Sequence, residues 1–477
     1  MGEIESGIGP DRVLDRLSSF TAELEFSALS PSAVHAAKVR IIDTLGALIA
    51  GFDGEPCVIA RKLAETAGRA HGATLLGTDL VVAPDMAAFA NATASRYAEA
   101  NDIYRWPNAS GGHPSDVIMP VLAAAECAKA NGREFISGVV IAYEVFCRIS
   151  DCMVGWGKGV EPTNFARIAV AAAAARLWKL PPEKITHAIS MAAITGNLVR
   201  QVRTGHLSAW KSVASGEAGR AGVFAAMLAR EGMEGLRMPF EGKNGWCAQI
   251  AQKSMELGPM GGAGAPFKIE VTLIKPRAVC GATISSVLAA EPLSQRLRGR
   301  TARITQVKVE VYGSAKEGMG TGEHHWNPQS RESADHSIPY VVAATLLDGT
   351  AGPAQFDDAH IADPNLRSLM TKIEVAEDLS FTKLYKKHPA EHHARITVQM
   401  DDGENFVAES GGERGDLSNA KTDAQISEKF RSLTDGQLGM KKPDEILERL
   451  WNLDSMKSVD AIPGDFVVTN NRPLLLR

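Results

Sequence analysis

Residues 258–266 read Gly258-Pro259-Met260-Gly261-Gly262-Ala263-Gly264-Ala265-Pro266, and the character of the chain changes across them. Glycine and proline at this density break regular structure. Before the break, alanine dominates and apolar residues recur at helical spacing. Ser30-Pro31-Ser32 opens a helix carried by Val34, Ala37, Val39, Ile42, Leu45 and Ile49 and stopped at Gly51. Further helices are predicted over 86–97, 117–131, 134–147, 166–180, 182–194 and 215–231. Pro182 and Gly232 supply the expected start and stop signals. After the break, strand-like segments at 269–274, 304–311, 372–375 and 394–400 alternate with helices at 283–288 and 340–347. Helical spacing returns at 426–433 and 443–453. The sequence thus predicts a mainly α protein: helical over 1–268, α+β over 269–412, and helical again over 413–477. The C-terminal helices are expected to rejoin the first part and make that domain discontinuous.

Composition narrows the function. Hydrophobic residues make up 45% and charged residues 22% of the 477, the profile of an ordinary globular protein. Net charge is −5, and no Lys/Arg block points to nucleic acid or a membrane surface. Cys57, Cys127, Cys147, Cys152, Cys247 and Cys280 are scattered without a C-x-x-C pair. They read as reduced thiols of a cytoplasmic protein and argue against an iron–sulfur cluster. The acidic start Met1-Gly2-Glu3-Ile4-Glu5-Ser6 lacks the apolar core of a signal peptide, though it meets a loose myristoylation pattern. No apolar run is long enough to span a bilayer. Neither the Gly318–Gly322 run nor the break itself fits a dinucleotide or phosphate loop, and the adjacent pairs His324-His325 and His392-His393 lack helical ligand spacing. No metal site is expected.

Two histidine-bearing loops carry the chemistry. Asp335-His336-Ser337-Ile338-Pro339-Tyr340 precedes an apolar helix that ends at Asp348-Gly349. A helix N-terminus favours an anion, and a His beside a carboxylate and a phenol can move protons. Ser337 or Asp335 reads equally well as a helix cap, with His336 its satisfied neighbour. Gly112-His113-Pro114-Ser115-Asp116 repeats the arrangement after Glu99, Asn101, Asp102, Tyr104 and Arg105. Cations are dense between Arg200 and Lys211, and Lys275-Pro276-Arg277 adds a second cationic point. Such groups suit small polycarboxylates. Candidate catalytic residues are His113, Lys211, His336, Tyr340, Asp102 and Glu99. Candidate substrate contacts are Arg203, His206, Lys275, Arg277 and Ser337.

These segments, together with Asp43-Thr44-Leu45-Gly46, Arg96 through Asp102, and Ser208-Ala209-Trp210-Lys211, resemble the MmgE/PrpD family over nearly the whole chain. That family includes 2-methylcitrate dehydratase, cis-aconitate decarboxylase and iminodisuccinate epimerase. The resemblance implies a large helical domain built from both ends of the chain, an inserted α+β lid, a homodimer, and an active site between lid and helices. It implies no cofactor, and it places residues matching His113, Lys211, Lys275 and Tyr340 at the site. This chain departs from the family pattern in three places. Glu99 stands where an Asp is usual, Ile103 where a Thr is usual, and Pro162 where many members have a His.

The expected function is a cofactor-independent hydro-lyase acting on a small hydroxy di- or tricarboxylic acid. Proton abstraction beside a carboxylate would start the reaction, with His113 oriented by Asp102 or Glu99 and a second proton moved by His336 with Tyr340. Decarboxylation and epimerisation pass through the same kind of carbanion and are the alternatives. A non-catalytic binding homologue is the third reading, motivated by Ile103 and Pro162.

Overall fold

Ser30 starts the first long helix. Its hydroxyl accepts a hydrogen bond from the Ala33 N–H at 3.0 Å, and Pro31 follows in the first turn, where a missing N–H costs nothing. In a computed structural model, residues 9–468 are described, apart from 108, 154–159, 206, 263, 439–442 and the side chains of 69–71. The chain is mainly α. Helices α1 (Arg12–Glu23), α2 (Pro31–Gly51) and α3 (Glu55–Glu65) are followed by a short hairpin, β1 (Gly68–Thr74) with β2 (Val81–Val82). Then come α4 (Pro84–Tyr97), α5 (Ile118–Cys127), α6 (Gly132–Cys152), α7 (Thr163–Leu177), α8 (Pro182–Ile194) and α9 (Trp210–Arg230). Helix α3 and the hairpin are not among the elements predicted from the sequence.

The small residues explain how these helices stack. Helix α7 is buried from Thr163 through Ala175, so neighbours surround it. A Cβ added to Gly51 would lie 2.1 Å from the Ala94 carbonyl oxygen of α4. On α9, Cβ atoms at Gly216 and Gly222 would lie 2.5 Å from the Phe89 carbonyl and 2.6 Å from the Arg167 carbonyl. Backbones therefore touch where any larger side chain would hold them apart. The C-terminal segment closes over the same layer. In helix Asp423–Thr434, Phe430 meets Gly46, and Lys429 donates to the Asp43 carboxylate and to the Ala100 carbonyl at 2.8 Å. The Gly132 N–H donates to Met456 O and the Val459 N–H to Ala130 O, both at 2.9 Å.

The second hydrophobic cluster runs from Val279 to Leu417 and includes Ile103 from the other layer. It packs α10 (Ile284–Arg296) and the helix Ile338–Asp348 against a four-stranded sheet. Strand β3 (Ile304–Val311) lies between β4 (Ile373–Glu377), which is parallel to it, and β5 (Ala394–Met400), which is antiparallel; β6 (Asn405–Ser410) forms the edge. Ala394, Ile396, Val398 and Met400 of β5 are buried in alternation.

One predicted element needs correction. Residues 269–274 are not a strand: Lys268–Val271 form a 3-10 turn, and only Leu273 makes a β-bridge, to Ile103. The alternation of Ile269, Val271 and Leu273 is present, but side chains fix the residues just before it into a turn, in which the Glu270 N–H donates to the Phe267 carbonyl at 3.0 Å. Glu144 accepts from the Lys268 N–H at 2.7 Å and Glu270 from the Phe267 N–H at 2.9 Å. Ile269 and Ile274 pack into the helical cluster. No helix among the described residues is long and apolar enough to cross a membrane.

The contact between the C-terminal segment and α6 is testable. A Cβ at Gly132 would lie 1.6 Å from the Leu453 carbonyl oxygen, whereas one at Gly318 meets nothing within 4 Å. Gly132→Ala is expected to cost about 1–3 kcal/mol, the scale of overpacking, in a denaturant or thermal melt. Gly318→Ala is expected to stay within about 0.5 kcal/mol of the parent.

Candidate active site

Helix α4 ends at Tyr97, and Glu99, two residues on, takes the left-handed conformation with φ 55°. A non-glycine residue pays for this conformation, and here the carboxylate supplies the compensation. Glu99 is 1% exposed. Its oxygens accept from Arg96 Nη1 at 2.6 Å and Lys275 Nζ at 2.7 Å, and lie 3.1 Å from Lys211 Nζ. Burial pushes this carboxyl up, but Arg96, Lys211, Lys275 and His336 together hold it well below the usual range. Lys211, in the first turn of α9, also donates to both oxygens of Asp335 at 3.0 and 3.1 Å. Glu99, Lys211 and Asp335 thereby join α4, α9 and the approach to helix Ile338–Asp348.

His113 reaches this network through glycine. Gly111 and Gly112 have φ 75° and 133°. A Cβ at Gly112 would lie 2.8 Å from Pro162 Cβ and 2.9 Å from Phe146 Cζ, so residue 112 is confined to glycine on both counts. The His113 Nδ1–H donates to the Asp102 carbonyl at 2.7 Å, since a carbonyl can only accept. That assigns the free lone pair to Nε2, 4.0 Å from Glu99 Oε1. Asp102 is itself fixed, accepting from the Ser115 N–H and the Tyr143 hydroxyl, both at 3.1 Å. It therefore orients His113 through its backbone, while its carboxylate anchors the loop.

His113 and His336 border one cavity of about 90 Å3, together with Arg96, Glu99, Asp116, Glu161 and Arg203. Their environments drive them apart. Burial, with repulsion from Arg96 and Lys275, holds His113 well below the ordinary histidine value of 6.5. For His336, burial and Lys211 pull down, but Cys280 and Asp335 prevail and raise it to about 9. His336 Nδ1 hydrogen-bonds Asp335 Oδ1. Burial raises Asp116 to about 6 against the pull of Arg96 and Arg203. Asp116 Oδ1 and Glu161 Oε2 are buried and accept no protein hydrogen bond.

The other candidates lie elsewhere or serve other partners. Lys275 is fully buried, and its three donors go to Glu99 Oε1, the Glu99 carbonyl at 2.8 Å and the Val279 carbonyl at 3.0 Å. Arg203 lines the cavity but is paired with Glu161 at 2.9 Å. Ser337 is the helix cap: its hydroxyl accepts from the Tyr340 N–H at 3.0 Å and donates to the His325 carbonyl. The Tyr340 hydroxyl donates to the Gln355 carbonyl at 2.6 Å, and its ring stacks on Phe356, away from the cavity. Arg277 pairs with Glu291 near the surface. His206 lies outside the described residues. The site also uses residues not singled out as candidates. Arg96 stands one turn before Glu99, Asp116 closes the His113 motif, Glu161 precedes Pro162, and Cys280 ends the Lys275 segment.

The lining also has an apolar share, from Ile103, Pro162, Gly281 and Met319. A Cβ at Gly281 would lie 2.2 Å from Ile103 Cδ1, so the isoleucine occupies the space a side chain there would need. Among the described residues, no three His, Cys, Asp or Glu side chains gather as a metal-ligand set.

The chain is similar in sequence to proteins of named activity. A 2-methylcitrate dehydratase of Salmonella typhimurium is 26% identical, with 85% of this chain and 86% of the relative covered. A cis-aconitate decarboxylase of Homo sapiens is 24% identical, with 94% and 95% covered. A 2-methylcitrate dehydratase of Cupriavidus necator is 26% identical, with 83% of each covered. Residues 15–257 match the MmgE/PrpD N-terminal domain and residues 278–453 the MmgE/PrpD C-terminal domain, and the chain belongs to the MmgE/PrpD family.

Proposed function

We propose that this protein is a hydro-lyase acting on a small hydroxy di- or tricarboxylic acid, with chemistry carried by its own side chains. The observation that carries the proposal is the pair of histidines on one cavity whose surroundings drive them in opposite directions, His113 toward the neutral form and His336 toward the charged one. His113 is neutral, with Nε2 free, and serves as the base that removes a proton beside a carboxylate. His336, an imidazolium beside Asp335, serves as the acid that protonates the departing hydroxyl. Two titratable groups whose surroundings drive them in opposite directions mark an acid–base assignment. The cations Arg96, Arg200, Arg203, Lys211, Lys275 and His336 outnumber the carboxylates Glu99, Asp116, Glu161 and Asp335, which suits a polyanion and the negative charge that builds as the proton leaves. In this reading the guanidinium groups of Arg96, Arg200 and Arg203 meet the substrate carboxylates. Lys211 and Lys275 act from behind, holding Glu99 and Asp335 in place.

The cavity is lined by both parts of the chain, Arg96, His113 and Arg203 from the helical part and Cys280, Met319 and His336 from the sheet-bearing segment, and in this proposal that segment works as a lid that closes over the substrate. The relatives named as dehydratases and as a decarboxylase support carbanion chemistry at a polycarboxylate. The acid–base pair itself argues against a purely binding homologue.

The deciding experiment incubates the purified protein in deuterated water with 2-methylcitrate, citrate, cis-aconitate and iminodisuccinate, followed by proton NMR. Water loss with deuterium uptake at the α-carbon supports the hydro-lyase. Carbon dioxide release or inversion of a centre reassigns the reaction to decarboxylase or epimerase. Silence across the panel overturns the proposal. On whichever acid is turned over, His113→Ala is expected to lower turnover by at least about 100-fold, the scale of a lost acid–base group, and Lys211→Ala by at least as much, because it leaves Glu99 and Asp335 beside His336 uncompensated. Full activity in both removes the site assignment. Tyr340→Phe, whose hydroxyl faces Gln355, is expected to keep turnover within a few-fold while losing about 1 kcal/mol of stability.

The pH profile follows from the same pair. His336 must carry its proton, so kcat/KM falls as pH rises through about 9. His113 must be free of one, so the acid limb lies below the ordinary histidine value of 6.5. A rate that climbs through pH 9 would reverse the roles assigned to the two histidines.

A further inference from the structure

Arg105 separates two spaces. On one side is the catalytic cavity; on the other is a larger cleft of about 860 Å3 between the helical and sheet-bearing layers. Arg105 and Gly111 line both. The guanidinium has an unusual environment for a largely buried cation. Its Nη1 donates to the Tyr385 hydroxyl, and that ring stacks on Tyr312 with centroids 4.1 Å apart. Its Nε is buried and donates to nothing in the protein. The groups that favour its charge are Tyr385, Tyr312 and Cys280, and among the described residues no carboxylate pairs with it. Every other arginine on the cavity has a carboxylate within reach: Glu99 for Arg96, and Glu161 for Arg200 and Arg203. A buried charge is retained when something neutralises it, and here the protein does not supply that partner.

The cleft carries the same sign. Lys386, Lys387 and His388 project from the sheet side, with Lys421 beside them. Trp106, next in sequence to Arg105, packs edge-on against His388 at 4.5 Å. The lining includes one carboxylate, Glu270, whose Oε1 is taken up by the Phe267 N–H. Clefts lined by one sign of charge concentrate ligands of the other.

We propose that this cleft is the vestibule through which a polycarboxylate reaches the catalytic cavity, and that Arg105 is the receptor at its inner end, exchanging the Tyr385 hydroxyl for a substrate carboxylate. The inference rests on the polycarboxylate reading above and adds a route and a specificity residue to it. Arg105 offers a planar fork that a carboxylate matches with two hydrogen bonds. Tyr385 holds that fork until the substrate arrives. No proton or bond changes hands at this step.

The test uses the full chain and citrate as the binding probe, read by titration calorimetry, together with kcat and KM on whichever panel acid is turned over. Arg105→Met is expected to weaken citrate binding at least about tenfold, the scale of a hydrogen bond to a charged group, and Arg105→Lys to restore part of the loss. The double variant Lys386→Glu, Lys387→Glu alters exposed side chains and bears on the vestibule without touching the core. It is expected to raise KM several-fold at about 20 mM salt and to converge on the parent at about 300 mM, where screening is short-ranged. If an acid is turned over but Arg105→Met binds citrate and the double variant responds to salt as the parent does, the vestibule is wrong and the polycarboxylate reading stands. If the parent neither binds citrate nor turns over any acid of the panel, both readings fall together.

Discussion

One buried carboxylate organises the molecule. Glu99 sits where α4 ends, and three cations from different parts of the chain converge on it: Arg96 from α4 itself, Lys211 from α9, and Lys275 from the segment that leads into the sheet-bearing layer. Taking four charges out of water is costly, and the cost is met only when each finds its partner. Removing one member of such a buried pair typically costs about 3–5 kcal/mol because the survivor is left uncompensated. The network therefore gives less stability than specificity: it forms completely only when the helical layer, the connecting segment and the Asp335 turn are all in register. The same requirement that folds the site also polarises it, because Lys211 touches Glu99 and Asp335 at once.

The helical layer prepares that convergence by being stiff. Glycines on α2 and α9 let backbones meet without intervening side chains, and α7 is buried nearly throughout. Packing this dense transmits displacement rather than absorbing it. The ends of α4 and α9 carry Arg96 and Lys211, whereas His113 and His336 stand on loops, the Gly111–His113 turn and the residues before helix Ile338–Asp348. In the proposed chemistry this division sets the field from helix ends and the proton transfers from loops.

Much of this was legible in the sequence, for reasons that differ residue by residue. The helices announced themselves through caps and spacing; Ser30-Pro31 and Gly349 do in space what they do in the text. The two histidine loops were visible because one arrangement, a histidine and a proline just ahead of an apolar helix, occurs twice, and Lys211 because it stands beside a run of small residues. The 269–274 segment misled because alternation reports which face is apolar, not how the backbone is held; Glu144, far away in sequence, holds the turn that leads into it at Lys268. Tyr340 misled because nearness in sequence to His336 says nothing of direction. Once Ser337 caps the helix, Tyr340 is turned toward Gln355. Arg96, Asp116 and Glu161 were in plain view yet undistinguished, since a charged residue near a motif is usually a solvated one. Their burial is a tertiary fact. The lone guanidinium of Arg105 is more so, because what marks it is a missing partner.

The contact between Ile103 and Gly281 has a further meaning. Residue 103 comes from the loop after α4 and residue 281 from the start of the second layer, yet they compete for one volume beside the cavity. A side chain at 281 displaces the tip of Ile103 and fits only as that side chain takes another rotamer, while a smaller residue at 103 leaves a void that a side chain at 281 could fill. Two sites far apart in the gene are therefore coupled, their substitutions are not additive, and a variant at 281 introduced alone reports the displacement of Ile103 along with its own effect.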